Sequence, residues 1–345
     1  MRFVASLTRG ASELRKIAGL WKECGDPRNP FENVLITPLF MPRAGMAIVR
    51  EWKEAGIISN LYFDSGGYYV QTGRLSYLEL YYRLLTLYRL ERWADWYVLP
   101  DHVPMTNEAP EETWLKVRDT VEYSRNFFDE LPDDLKSRAI PVVHGFSQDQ
   151  VEYSLHSHLD LGTNYVGFGS FSTSGKNGSV NKLTRESYRN LKHVATTLGR
   201  EGIRLHGFGV GTPPAIYILS SIGVFSFDSV GWMKTAGFGK VFLPFVRAYN
   251  ITYHDKLAST KKEHQFEEMK AATGHSCYFC RSFEELHRRR YFRTLHNLSV
   301  VLDMCDGALN MASAREIMRQ YSPDYLYLID ESDEQNPKGQ LPRPS

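Results

Sequence analysis

The sequence predicts an α/β protein of the (β/α)8-barrel class, with a smaller Cys- and His-bearing subdomain near the C-terminus. Short runs rich in Val, Ile, Tyr and Phe alternate with longer helix-prone stretches over about 230 residues, close to the usual size of such a barrel. Most of these runs are continuously apolar rather than alternating, which is typical of parallel strands covered on both faces. A doubly wound open sheet is the alternative, because hydrophobic periodicity does not show whether a sheet closes.

The predicted elements follow one another regularly along the chain. Strands are predicted at 34–40, 58–63, 96–100, 139–144, 165–169, 203–208, 226–230 and 241–245. Helices are predicted between them, with clear examples at 77–93, 111–130 and 184–200. We expect a single barrel domain over residues 1–330, with the subdomain at about 256–300. The polar, Pro-bearing segment 331–345 predicts a disordered tail.

Composition limits the class of protein. The 345 residues include 41 Lys and Arg against 40 Asp and Glu, a net charge of +1 with His neutral, and 42% are hydrophobic, as in globular proteins. No apolar run approaches the roughly 18 residues that a membrane helix needs, and residues 1–24 lack the apolar centre of a signal peptide. The 4 cysteines are too few and too unevenly spaced for a disulfide framework. We therefore expect a soluble, reduced, cytoplasmic protein.

Positive charge is concentrated in one part of this nearly neutral chain. Twelve Lys and Arg but only six Asp and Glu lie between residues 234 and 293. A local basic face suits contact with a nucleic-acid backbone, and its candidate residues are Arg288, Arg289, Arg290, Lys261 and Lys262. The alternative is an ordinary solvated helix face whose arginines pair with Glu284 and Glu285.

Three carboxylates follow or end predicted strands: Asp64, Asp101 and Asp228. In a barrel, residues at the C-terminal ends of strands converge on one mouth, where the chemistry takes place. Paired carboxylates there suit glycosyl transfer, because one can form a covalent ester with the anomeric carbon while the other transfers protons. For each residue taken singly, the alternative is a helix cap or turn former.

Aromatic side chains accompany these carboxylates and can sandwich a flat ring. The candidates are Tyr68, Tyr69, Phe168 and Phe208, and the alternative is that they close the core. The glycines of the segment GFGVG, residues 207–211, permit close approach of the backbone to such a ring. That segment lacks the context of a dinucleotide-binding fingerprint.

A CxxC pair with histidines nearby predicts a structural zinc site. The residues with suitable spacing are His275, Cys277, Cys280 and His296. A redox CxxC or unliganded thiols are the alternatives, although the strand that precedes a redox CxxC is missing here. His287 is a rival fourth ligand, whereas His254 and His264 are expected on the surface.

The motifs, taken together and in order, resemble those of the tRNA-guanine transglycosylases. They are VLITPLFMPRAGMAIV, FDSGGYY, ADWYVLPDHVP, VVHG, HGFGVG, FDSV and HSCYFC with LHNL, and they extend over residues 34–298. Four departures resemble the DNA-guanine transglycosylases (DpdA) of phages and bacterial genomic islands more closely. His275 stands for the first zinc cysteine, His144 for a glutamine, GFGSFST for GGLAVGE, and Trp232 follows FDSV. We also expect no appended RNA-binding domain.

The resemblance implies an exchange of guanine in DNA for a 7-deazaguanine such as 7-cyano-7-deazaguanine. It implies that Asp228 is the nucleophile at C1′ of the deoxynucleoside and that Asp64 is the acid/base. Asp101 would accept hydrogen bonds from the guanine edge. The remaining implied base contacts are Tyr68 and Phe208 on the two faces, with His144, Gly167 and Phe168 at the edge. The target base must leave its stack to reach the barrel mouth.

The implied partners are DNA and a free 7-deazaguanine base, in the cytoplasm of a bacterial or phage-infected cell and without a membrane. A homodimer and helper proteins are left open. Three other functions are alternatives: the same reaction on tRNA, a non-catalytic partner subunit of such an enzyme, and a carbohydrate-active barrel that uses the same two carboxylates without zinc.

Overall fold

Nine short strands form one parallel sheet in the computed structural model, which describes residues 1–172, 181–252, 260–307 and 311–329. The strands are β1 (Arg2–Ser6), β2 (Asn33–Ile36), β3 (Asn60–Phe63), β4 (Trp96–Val98), β5 (Ala139–Ile140), β6 (Val142–Val143), β7 (Tyr165–Phe168), β8 (Arg204–Gly207) and β9 (Ser226–Ser229). Across the sheet their order is β5-β4-β3-β2-β1-β9-β8-β7-β6. The two edge strands, β5 and β6, are thus consecutive in the chain.

The sheet closes at Pro141. Proline has no backbone N–H and interrupts the ladder, so one strand is divided into β5, which pairs with β4, and β6, which pairs with β7. The carbonyl of Pro141 still accepts a hydrogen bond from the N–H of Gly167 at 2.8 Å. Eight strand positions therefore surround one axis, and the predicted (β/α)8 barrel is confirmed.

Helices surround the barrel. They are α1 (Ala11–Cys24), α2 (Arg43–Glu54), α3 (Gly67–Gln71), α4 (Tyr77–Leu90), α5 (Pro110–Glu130), α6 (Asp133–Lys136), α7 (Gln148–Leu159), α8 (Arg185–Arg200), α9 (Pro213–Ser221), α10 (Gly231–Gly237), α11 (Glu263–Thr273), α12 (Phe283–Arg288), α13 (Arg290–Cys305), α14 (Met311–Tyr321) and α15 (Pro323–Ile329). Two 3-10 turns lie at Pro38–Phe40 and Tyr278–Cys280. None of the helices in the described ranges is long and apolar enough to cross a membrane.

Helix α8 illustrates how the sequence specifies this layer. Its buried apolar residues recur every three or four positions, at Tyr188, Leu191, Val194 and Leu198, so one face packs inward. The side chain of Thr184, just before the first turn, accepts a hydrogen bond from the N–H of Ser187 and caps the helix. The predicted helix at 184–200 thus agrees with α8, and those at 77–93 and 111–130 agree with α4 and α5.

The subdomain lies between the last barrel strand, β9, and the last barrel helix. Helix α13 occupies the eighth helix position, since it contacts α9, α1 and β1. Between β9 and α13 come α10, an antiparallel hairpin of β10 (Lys240–Leu243) and β11 (Val246–Asn250), α11 and α12. His296 therefore belongs to a barrel helix, whereas its neighbours in the Cys/His cluster belong to the inserted segment.

Seven of the eight predicted barrel strands are found, and the eighth is wrong. The segment 241–245 forms the hairpin strand β10 rather than a barrel strand. The missing position is filled by β1, which pairs with β2 on one side and β9 on the other. An apolar run has high strand propensity whichever partner it finds, so a hairpin strand is not distinguished from a barrel strand by its sequence alone. The predicted tail at 331–345 lies outside the described residues.

Two clusters of buried hydrophobic residues correspond to the two packing layers of a barrel, one outside the strands and one inside them. The larger lies between barrel and helices. The smaller contains Val4, Leu35, Tyr62, Ile140 and Tyr165, contributed by five different strands, and fills the barrel interior. Polar atoms of Tyr62 and Tyr165 in this interior take part in a hydrogen-bonded chain that reaches the barrel mouth.

Candidate active site

A cavity of about 420 Å³ at the C-terminal end of the barrel strands is lined by Asp64, Asp101 and Asp228. The structure thus brings together the three carboxylates singled out in the sequence. A larger hollow of about 830 Å³ lies at the opposite end, beside Arg2, Asn33 and neighbouring residues. Because barrel enzymes build their sites at the C-terminal end, the smaller cavity is the candidate active site.

Hydrogen-bond donors surround the carboxylate of Asp228. The hydroxyl of Ser6 donates to Oδ2 at 2.6 Å, and the backbone N–H of Gly209 donates to Oδ1 at 2.7 Å. Nε2 of His206 lies 3.4 Å from Oδ1. These contacts fix the orientation of the carboxylate, as a nucleophile in a displacement reaction requires.

A hydrogen-bonded chain continues from His206 into the barrel interior. Its Nδ1 lies 2.6 Å from Oγ of Ser226, which in turn contacts the hydroxyl of Tyr165. The hydroxyl of Tyr62 lies 3.3 Å from that of Tyr165. If each hydroxyl donates to the next group, Nδ1 of His206 accepts and its Nε2–H points at Asp228, so every member of the chain has a hydrogen-bond partner.

Asp64 occupies the environment of a general acid. Its Oδ2 accepts a hydrogen bond from Thr37 Oγ1 at 2.8 Å, and the side chain remains partly exposed to the cavity. Burial and the nearby charge of Asp101 raise the pKa of Asp64 from 3.8 to about 7. Both protonation states are therefore populated near neutral pH, as proton transfer in two directions requires.

Asp101 is anchored through both oxygens. The hydroxyl of Ser65 donates to Oδ1 at 2.5 Å, and Nε2 of His144 lies 2.9 Å from Oδ2. Nδ1 of His144 lies 3.1 Å from Oγ of Ser170. The glycine after DSG is required here, because a Cβ at Gly67 would lie 2.6 Å from Oδ1 of Asp101. Each oxygen of this carboxylate retains a lone pair for a ligand.

His144 lines the cavity, but both of its ring nitrogens are already hydrogen-bonded within the protein. It therefore holds Asp101 instead of offering a nitrogen to the edge of a base, which corrects its predicted role as a base contact. The sequence showed the histidine but could not show what its two nitrogens contact.

The structure places three of the four candidate aromatic side chains at the cavity and corrects the predicted base contacts of Gly167 and Phe168. Tyr68, Tyr69 and Phe208 line the cavity. Phe168 is completely buried, its carbonyl accepts from the N–H of Phe208, and the N–H of Gly167 is used in the barrel ladder. Neither is among the cavity-lining residues. Gly169, which directly follows β7, is the residue of this strand end that lines the cavity.

Several cavity residues were missed by sequence reasoning. They are Ser6, Arg9, Thr37, Ser65, Arg74 and Lys234. Three of these are cations, so positive charge lies beside the carboxylates; the ammonium of Lys234 lies 5.6 Å from the ring centre of Tyr68. Burial lowers the pKa of Lys234. Lys234 lies six residues after Asp228 on the following helix, and that proximity was the available signal.

The inserted segment and α13 bring four ligand types together. One ligand atom from each of His275, Cys277, Cys280 and His296 lies within 4.8 Å of the others. The Sγ atoms of the two cysteines are 3.5 Å apart, and the hydrogen bond from the Cys277 thiol lowers the pKa of Cys280. The predicted cluster is confirmed as a group that can hold a metal ion, and His287 is not part of it.

The donor set fits a tetrahedral metal. Nε2 of His275 is buried and has no hydrogen-bond partner among the described residues, whereas Nδ1 contacts Asp303, so Nε2 is the nitrogen that can bind a metal ion in the cluster. His296 uses Nε2 to contact the carbonyl of Phe242 at 2.8 Å, which leaves Nδ1 facing Cys277 at 3.4 Å. Two thiolates and two imidazoles are a common zinc donor set. His264 is exposed, as expected, and His254 lies outside the described residues.

The basic cluster is exposed but partly paired. Arg288 and Arg289 form ion pairs with Glu284 and Glu285 at 3.0 Å and 2.8 Å. Arg290 reaches Glu13, on α1, at 3.4 Å. The helical pairing expected of an ordinary solvated face is therefore present. Of the two lysines in the prediction, Lys262 is exposed and Lys261 half-buried.

Comparison with known proteins identifies a family whose model matches more than half of the chain. The family model described as queuine tRNA-ribosyltransferase matches residues 93–311, more than half of the chain. The queuine tRNA-ribosyltransferase of Helicobacter acinonychis (strain Sheeba) is 24% identical over 183 residues, which are 48% of this chain and 46% of the relative. That of Helicobacter pylori (strain P12) is 24% identical over 162 residues, 44% and 40%. The chain thus spans about half the length of the curated relatives it matches.

Proposed function

The chain belongs to the queuine tRNA-ribosyltransferase family of tRNA-guanine transglycosylases, and from that premise we propose that it exchanges guanine in DNA for a 7-deazaguanine, with 7-cyano-7-deazaguanine as the incoming base. The observation that supports the reaction is the convergence of Asp64, Asp101 and Asp228 on one cavity. The DNA substrate rests on the four sequence departures from the tRNA-modifying enzymes, such as His144 and His275.

The proposed reaction begins with base recognition. An unstacked guanine enters between Tyr68 and Phe208, and its ring N–H and exocyclic amine donate to Asp101. Ser65 and His144 fix that carboxylate from the protein side, and its remaining lone pairs favour a base edge that donates. A 7-deazaguanine has the same edge and fits the same contacts.

Two displacements at one carbon then complete the exchange. A carboxylate oxygen of Asp228 forms a bond to C1′ as the bond from C1′ to the purine nitrogen breaks, and Asp64 donates its proton to the departing purine. The incoming deazaguanine next loses its ring proton to Asp64, its nitrogen bonds to C1′, and the ester to Asp228 breaks. Two inversions retain the β configuration.

Zinc is the proposed occupant of the Cys/His cluster, held by His275, Cys277, Cys280 and His296. Its contribution is structural, since it ties the inserted segment to α13. The cavity carboxylates carry the chemistry without it.

Nucleoside mass spectrometry tests the substrate. We expect DNA from cells that carry this gene, supplied with the deazaguanine, to contain a deazaguanine deoxynucleoside, and DNA from cells without it to lack one. A deazaguanine found only in tRNA would instead favour the second candidate, exchange on tRNA, which is the reaction named for the Helicobacter relatives. A modified nucleoside in neither polymer, with labelled guanine also unexchanged in vitro, would contradict both.

The basic cluster is proposed to contact the DNA backbone, with Arg288, Arg289, Arg290, Lys261 and Lys262 as the contacting residues. We expect the double variant Arg288→Glu/Arg289→Glu to bind DNA more weakly. It should also reduce the slope of log affinity against log salt by about 1.4–1.8, since each of the two phosphate contacts contributes roughly 0.7–0.9. Fluorescence anisotropy over a salt series measures both.

Arg125→Glu is the matched control for this double variant, because Arg125 also forms an exposed ion pair, with Asp160, but on the barrel helix α5. If the slope of log affinity against log salt is unchanged in the double variant, Arg288 and Arg289 do not contact DNA and belong to an ordinary solvated helix face.

A further inference from the structure

The imidazole of His275 is held by a carboxylate on its outer side. Its Nδ1 lies 2.7 Å from Oδ2 of Asp303, and its side chain is completely buried. Asp303 lies on α13, two turns after His296, so the same helix supplies one member of the metal cluster and the support of another. Because a carboxylate accepts, the proton of the ring resides on Nδ1 and Nε2 presents its lone pair to the cluster.

Asp303 is itself fixed by a guanidinium. Its Oδ1 accepts from Nη1 of Arg28 at 2.7 Å, and Nη2 of Arg28 also pairs with Asp26 at 2.6 Å. Arg28 lies between α1 and β2, in a part of the chain far in sequence from the inserted segment. The line from Arg28 through Asp303 to His275 therefore connects the barrel with the metal cluster.

The two histidines of the cluster are supported differently. His296 contacts a backbone carbonyl, that of Phe242, which no side-chain substitution removes. His275 depends on a side chain. His275 also occupies the position at which the tRNA-guanine transglycosylases carry the first zinc cysteine. A thiolate ligand has no ring N–H and therefore needs no outer acceptor.

We propose that Asp303, held in place by Arg28, is the positioning residue that makes His275 a metal ligand in this chain. The inference rests on the proposed zinc site. Outer carboxylates of this kind fix the tautomer and the ring orientation of a histidine ligand, and their loss typically weakens metal binding 10- to 100-fold. The proposal thus assigns a role to two residues that touch neither the cavity nor the metal cluster's thiols.

Zinc affinity of the purified full chain tests the proposal. Competition with a chromophoric chelator gives the dissociation constant, and Co²⁺ titration gives the ligand-field absorption of the site. We expect Asp303→Ala to bind zinc 10- to 100-fold more weakly, and Asp303→Asn, which keeps an acceptor oxygen, to fall in between. The matched control is Asp306→Ala, because Asp306 also contacts Arg28, at 3.3 Å, and no contact joins it to His275. Its affinity should be unchanged.

A second background separates positioning from general destabilisation. In a His275→Cys chain, Asp303→Ala should change the zinc dissociation constant by no more than about twofold, because the thiolate needs no outer acceptor. An equal loss in both backgrounds, or an unchanged affinity of Asp303→Ala in the natural background, would overturn the proposal. Wild-type protein that binds no zinc would overturn the metal site as well, whereas base exchange is measured separately and decides the proposed reaction.

Discussion

Replacement of Asp228 by alanine should lower base exchange by at least about 10⁴-fold, the usual scale for loss of a nucleophile. Without this carboxylate no ester to C1′ can form, and water in its place is a weaker, unpositioned nucleophile. Incorporation of labelled guanine into DNA measures the rate. A denaturing gel detects the covalent protein–DNA species, which we expect for the wild type and not for the variant.

Asp228→Asn keeps the shape of the side chain and is the companion variant. Its amide oxygen can still accept from Ser6 or Gly209, so the fold is expected to survive while the nucleophile is lost. Asp160→Asn, at an exposed surface ion pair, is the control for handling and should retain full activity. A covalent species formed by Asp228→Ala would show that another group attacks C1′.

The sequence predicted the barrel and its mouth because both depend on local patterns. Strand propensity located seven barrel strands, and the position of Asp64 and Asp101 after such strands predicted that they would meet Asp228. It was harder to predict which residue at a strand end lines the cavity. At the end of β7 this residue is Gly169 and not Gly167 or Phe168, and the ladder pairing that decides it is not contained in sequence patterns.

The contacts that tune the site could not be predicted, because they join distant parts of the chain. Ser6 reaches Asp228 across 222 positions, and Arg28 reaches Asp303 across 275. Serine at the end of a short strand has no distinctive local signature. The CxxC cluster was predictable for the opposite reason, since three of its four members lie within six residues of one another.

The pH dependence of the two half-reactions is the second large effect expected, and Asp64 is its source. Release of guanine needs Asp64 protonated, so its single-turnover rate should fall about tenfold per pH unit above about 7. Attack by the incoming base needs Asp64 deprotonated, so that rate should fall below about 7. Asp64→Asn should abolish the pH dependence of both half-reactions and slow guanine release by about 10²–10⁴-fold.

The charge of Asp101 contributes to the raised pKa of Asp64, so substitution of Asp101 should shift the pH at which guanine release begins to slow. Burial is the larger reason for the raised pKa of Asp64, and the charge of Asp101 is the next. Asp101→Asn removes that charge, so the inflection in guanine release should move to lower pH at saturating DNA. An inflection that stays in place would show that another group titrates.

Folding stability offers a test of the same pKa that needs no substrate. The native state binds the proton of Asp64 more tightly than the unfolded chain does, so this residue's contribution to stability falls as pH rises from about 4 to about 7 and is constant above that. Three pKa units correspond to at most about 4 kcal/mol, reduced by water in the cavity. Asp64→Asn should therefore gain stability relative to the wild type between pH 4 and pH 8, measured by urea unfolding at each pH. If the two proteins differ in free energy of unfolding by the same amount at pH 4 and at pH 8, Asp64 keeps an ordinary pKa in the folded protein. A raised pKa would then not explain how Asp64 acts as the acid.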